Sequence, residues 1–227
     1  MTGKDLQKQF EMKLWTMIPE TQIEAKLDSD TIFYWLNEGV TKFIESSFNG
    51  YNPTRTSYEQ NEKRTRDLVN LFVETKLEPV GISVYKGTDS QGNKIYEKIP
   101  VAIYDTYDST KYIYPEELMF VLNEDVCISD NSGDHKYDTC VFECTADNFM
   151  YRINNSLTDF HYKYHKARPL RVRTEDGCCL LTDKNYKIQS YRLGYLRKPK
   201  KVTADYDDNS KIDFQDYIWT EIVDLAV

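Results

Sequence analysis

Hydrophobic positions in the first third of the chain repeat at helical spacing. Leu6, Phe10, Leu14 and Met17 follow Thr2 and Asp5, whose side chains fit a capping box, and Pro19 stops that helix. Asp28, Ser29 and Asp30 can cap a second helix with Ile32, Trp35, Leu36, Val40, Phe43 and Ile44 as its apolar stripe. It ends at Asn49-Gly50, with Pro53 just beyond. Ser57 and Gln60 form a third capping box, and Leu68, Leu71 and Phe72 give the stripe that follows. The opposite face, with Lys63, Arg64 and Arg66, is either solvated or set between subunits. Pro79 closes the region.

Beyond Pro79 the period falls from about 3.6 to about 2. Residues 80–85 predict a short strand and Asp89-Ser-Gln-Gly-Asn93 a turn, after which Ile95, Ile99, Val101 and Ile103 line one face of a return strand. Further strands are predicted at 118–128 and, after the loop Asp130-Asn-Ser-Gly-Asp134, at 139–144. Thr145 caps a short helix bearing Phe149, Ile153 and Leu157. Strands at 170–173, 178–181 and 188–196 follow, the first two joined by a turn at Glu175-Asp-Gly177. Residues 203–210 read as an acidic linker. From 214 to 227 the spacing is helical again, with Ile218, Ile222 and Leu225 as its stripe. The expected class is α+β: a helical core built from both chain ends, residues 1–80 and 203–227, around an inserted antiparallel β-rich block at 81–202. Neither an internal repeat nor a low-complexity tract interrupts this plan.

Composition narrows the function classes. The 227 residues carry 29 Lys and Arg against 37 Asp and Glu, a formal charge of −8. That balance argues against broad electrostatic binding to nucleic acid, yet suits a wall past which DNA slides without sticking. The longest apolar run, residues 118–122, is too short to cross a bilayer, and the N-terminus has no apolar signal core, so neither membrane insertion nor secretion is expected. Five cysteines, two of them adjacent at Cys178 and Cys179, predict reduced thiols in a cytosol instead of a disulfide framework. The 18 tyrosines suit protein contacts and half-buried sheet equally well.

Each chemical motif meets a physical objection. Cys140 and Cys144 followed by His161 and His165 have the ligand order of a zinc finger. However, four residues of continuous strand would hold the two sulfurs about 13 Å apart. Asp205, Asp207, Asn209, Asp213 and Asp216 occupy the oxygen-ligand places of a calcium loop, with Ile212 at its apolar place. Against it, Ser210 stands where glycine is needed, and the preceding 191–199 reads as strand rather than helix. The alternative is an acidic linker that runs into a helix cap. No nucleophile, phosphate-loop or metalloprotease motif occurs, and His161 and His165 sit among Lys163, Lys166 and Arg168. Arg197, Lys198, Lys200 and Lys201 form one basic cluster, either a solvated strand end or a contact with an acidic partner or DNA backbone.

Four stretches carry a resemblance: Leu6-Gln-Lys-Gln-Phe-Glu11, Asp30-Thr-Ile-Phe-Tyr-Trp-Leu-Asn-Glu-Gly-Val-Thr-Lys-Phe-Ile44, Tyr191-Arg-Leu-Gly-Tyr-Leu-Arg-Lys-Pro199 and Glu221-Ile-Val-Asp-Leu-Ala226. Together they resemble the head–tail connector, or portal-adaptor, ring proteins of tailed bacteriophages, most closely those of crAss-like podoviruses. Residues 145–155 also resemble a strand–helix step of such proteins. The resemblance spans the chain and rests on packing patterns. It implies a non-enzymatic virion protein, made in the host cytoplasm, with no catalytic residue, metal or cofactor. Such proteins form a homo-oligomeric ring, usually a dodecamer, at the head–tail junction. The ring meets the portal protein and neighbouring tail rings and encloses phage DNA without reading its sequence. On this view Lys63, Arg64, Arg66, Arg197, Lys198, Lys200 and Lys201 are the expected interface residues. The block at 81–202 departs from simple adaptors, which are mostly helical. The alternatives are another tail ring or hub subunit that does not touch the portal, or a calcium- or zinc-binding interaction module.

Overall fold

Helix α1 (Gly3–Met17) begins where Thr2 and Asp5 cap each other reciprocally. The Thr2 N–H donates to Asp5 Oδ2 at 3.2 Å and the Asp5 N–H to Thr2 Oγ1 at 3.3 Å. The computed structural model describes residues 1–17, 27–48, 66–88, 91, 94–100, 107–163, 166–206 and 213–227. The expected signals at Pro19, Asn49-Gly50, Pro53, Ser57 and Gln60 lie outside them. Two compact units emerge: a helical unit of Met1–Phe72 with Lys198–Val227, and a β unit of Val73–Arg197. The units divide at 72/73 and 197/198, eight and five residues N-terminal of the expected boundaries at 80/81 and 202/203. At the first boundary, residues 66–68 are helical and pass through a tight turn, Val69–Leu71, into strand β1 (Phe72–Leu77). Phe72 is therefore an exposed strand residue and not part of a helical stripe.

In the helical unit, α1, α2 (Ser29–Phe48) and α4 (Asp216–Ala226) contact one another pairwise. Leu6 and Phe10 bury from α1. Ile32, Phe33, Leu36, Val40, Phe43 and Ile44 bury from α2, and Ile218, Trp219, Ile222, Val223 and Ala226 from α4. Three expected stripe members sit outside this core: Met17, Trp35 and Leu225 are all exposed. Gly39 is buried in the same face of α2. A Cβ there would lie 2.8 Å from the Ile222 carbonyl oxygen and 2.9 Å from the Ala226 Cβ, so this glycine sets how closely α2 and α4 approach. Edge-to-face rings from Phe43 through Phe214 and Trp219 to Tyr206 fill the rest, with centroids 5.9, 5.4 and 5.7 Å apart. Asn37 ties the extended segment near Val202 to α2. Its Nδ2 donates to the Val202 carbonyl at 3.0 Å, and its Oδ1 accepts from the Val202 N–H at 2.9 Å.

The β unit holds two four-stranded sheets and a hairpin. One sheet has the order β1-β10-β5-β6, with β10 Tyr186–Arg197, β5 Leu118–Asp130 and β6 Lys136–Cys140. The other has the order β4-β9-β8-β7, with β4 Asp108–Ile113, β9 Gly177–Thr182, β8 Leu170–Thr174 and β7 Phe142–Glu143. The hairpin pairs β2 (Gly81–Thr88) with β3 (Lys94–Pro100) in antiparallel register. Most of its expected turn, with Val101 and Ile103, lies outside the described residues.

Period-2 alternation explains the layers. Val126 and Ile128 of β5 and Tyr191, Leu193 and Tyr195 of β10 pack with Tyr112, Cys178 and Leu180 of the second sheet in one core. Cys179 and Leu181 point the other way, into a second core with Phe160, Leu170 and Ile153 of helix α3 (Ala146–Asn154). Strand β9 is buried along its whole length, which accounts for the adjacent cysteines: Cys178 and Cys179 serve opposite faces of one central strand. All five cysteines are free thiols.

Two further expectations are corrected. The predicted strand 139–144 breaks at Val141, and its halves join different sheets, β6 beside β5 and β7 beside β8. Leu157 lies beyond the end of α3 and is 82% exposed, so it is not part of that helix's stripe. Between β5 and β6, Gly133 takes a left-handed conformation (φ +82°) and donates its N–H to Asp130 Oδ1 at 2.7 Å, turning the chain as the loop pattern predicts.

Candidate functional site

The zinc-like residues do not converge. Cys140 Sγ faces Asp125 Oδ1 at 3.8 Å on an exposed strand, while the buried Cys144 Sγ donates to Asn148 Oδ1 at 2.9 Å. His161 Nε2 lies 2.9 Å from the Ile153 carbonyl oxygen and its Nδ1 3.8 Å from Asp183 Oδ2. His165 lies outside the described residues. Among the described residues, no group of three or more His, Cys, Asp or Glu is arranged to hold a metal ion. Of the calcium-like loop, Asp207, Asn209, Ser210 and Ile212 lie outside the described residues. Asp213 is buried and accepts the Lys200 N–H at 2.8 Å, and Asp216 opens α4 as a favourable first-turn acid. The segment before the loop is strand β10, as the pattern predicts.

Among the described residues, a buried cluster of ionisable groups lies where the motifs did not point. Glu124 of β5 and Arg171 of β8 meet across the inter-sheet core, with side chains only 11% and 4% exposed. Glu124 Oε2 pairs with Arg171 Nη1, while its Oε1 accepts the hydroxyls of Tyr191 and, at 3.2 Å, Tyr114. Arg171 Nη2 also reaches Glu143 Oε2 at 2.8 Å, and Arg173 Nε holds Glu143 Oε1 at 2.9 Å. Burial opposes the charge on Arg171, but Glu124, Tyr114 and Glu143 outweigh it and raise its pKa. Both Glu124 oxygens are thus occupied, and the network ties one sheet to the other. One sequence signal reveals it: Glu124 shares the parity of Val126 and Ile128 and so points inward.

Burial raises the hydroxyl pKa of Tyr112, Tyr114, Tyr186 and Tyr191, and pushes that of Tyr195 up to about 12. An unfolded tyrosine ionises near pH 10. Because the folded-state values are higher, the stability these groups contribute is complete below about pH 10 and is lost as pH rises through the folded values. Spectrophotometric titration is expected to show tyrosinate absorbance and loss of the β circular-dichroism signal rising together above about pH 10. Independent ionisation of these tyrosines with the signal intact would contradict this.

Surface apolar groups make up the other cluster. On α1, Met12, Trp15 (69% exposed) and Met17 are open to solvent. On α2 the same holds for Tyr34, Trp35 (44% exposed) and Phe48, with the Tyr34 and Trp35 rings edge to face at 5.4 Å. Beside Met12 runs a groove of about 350 Å³ between α1 and α4, lined by Gln9, Lys13, Thr16, Thr220, Val223 and Asp224. Lys13 Nζ and Asp224 Oδ1 close across it at 2.9 Å. Exposed aromatic area of this kind is enriched where proteins meet. The periodicity treats Trp35 as core, which is why this surface was not expected.

Of the expected interface residues, Lys63 and Arg64 lie outside the described residues, and Arg66 is exposed. Lys198, Lys200 and Lys201 are exposed, whereas Arg197 is buried at the end of β10. The basic cluster therefore presents its three lysines to solvent without Arg197. No helix among the described residues is long and apolar enough to cross a membrane.

Helices at both ends of the chain around antiparallel-rich sheets define an α+β protein. No protein-family model matches the chain, and no curated protein matches it.

Proposed function

We propose that this chain is a non-enzymatic structural subunit of a ring at the portal vertex of a tailed phage, joining capsid to tail and extending the DNA channel. The observation that carries the reading is the pair of exposed aromatic surfaces on α1 and α2. These helices pack with α4 on a shared core and each keeps an exposed aromatic face. A ring subunit needs two such unlike faces, one for each neighbour. The net charge of −8 suits a channel wall that does not retain DNA. Its partners are then further copies of itself, up to a dodecamer, the portal protein and adjoining tail rings. Native mass measurement of the purified chain, alone and mixed with the portal of the same phage, tests this. A complex with one copy per portal subunit is expected. A chain that stays free of the portal removes the connector role and leaves a tail ring or hub as the alternative.

A further inference from the structure

We draw no further inference here: the strongest candidate, the surface patch of exposed aromatic side chains on the outer faces of α1 and α2, carries nothing beyond the reading above because nothing in the structure shows what covers it.

Discussion

Glu124→Ala is expected to lower the stability of the β unit by about 3 kcal/mol, the low end of what removing one partner of a buried ion pair costs. The loss comes mainly from Arg171. Its guanidinium is 4% exposed and would keep only the half-exposed Glu143 as a counter-charge. The hydroxyls of Tyr114 and Tyr191 would also lose their shared acceptor inside the core. Replacing both members, as Glu124→Leu with Arg171→Met, should recover most of the loss, since apolar groups of similar volume remove the desolvation cost of both charges. Urea unfolding followed by the tyrosine circular-dichroism signal compares the three proteins. If the single and double replacements are equally unstable, the pair contributes through packing and not through charge.

In the helical unit the largest expected loss is at Trp219. Trp219→Ala should cost about 4 kcal/mol, because the ring is fully buried between Phe214 and Tyr206 and its removal leaves a cavity that three helices cannot easily fill. Trp219→Phe should cost about 1 kcal/mol. The indole Nε1 has no hydrogen-bond partner among the described residues, so phenylalanine gives up apolar contact without breaking a bond. Both variants are read by urea unfolding of the helical signal. Equal losses would mean that the indole N–H is bonded in the folded protein.

Much of this architecture can be read from periodicity, because burial on one face is a local property of each helix or strand. Ile32, Leu36, Val40, Phe43 and Ile44 define a helix face before any partner is known, and the inward parity of Val126 and Ile128 does the same for a strand. What periodicity cannot supply is the identity of the partner. Cys140 and Cys144 look like neighbours on one strand, yet the chain changes sheets at Val141, a decision made by β5 and β8. Gly39 carries no hydrophobic signal, but its missing Cβ sets the α2–α4 approach. Glu124 and Arg171 are 47 residues apart, and only tertiary pairing brings them together. The candidate interaction surface was hidden for a related reason: an aromatic residue beside a core stripe looks like core until the packing of its neighbours fills that space.

The placement of the three tryptophans has an optical consequence. Trp15, Trp35 and Trp219 all belong to the helical unit, and the β unit has none, so fluorescence excited at the indole band reports the helical unit alone. Trp219 is sealed and should emit as a constant blue component, while Trp15 and Trp35 emit from water. Assembly through the α1 and α2 faces would move these two fluorophores into an apolar setting. The spectrum should then shift to the blue, and collisional quenching should fall in proportion to the fraction assembled. The chain thus carries its own unlabelled reporter of any assembly through these faces.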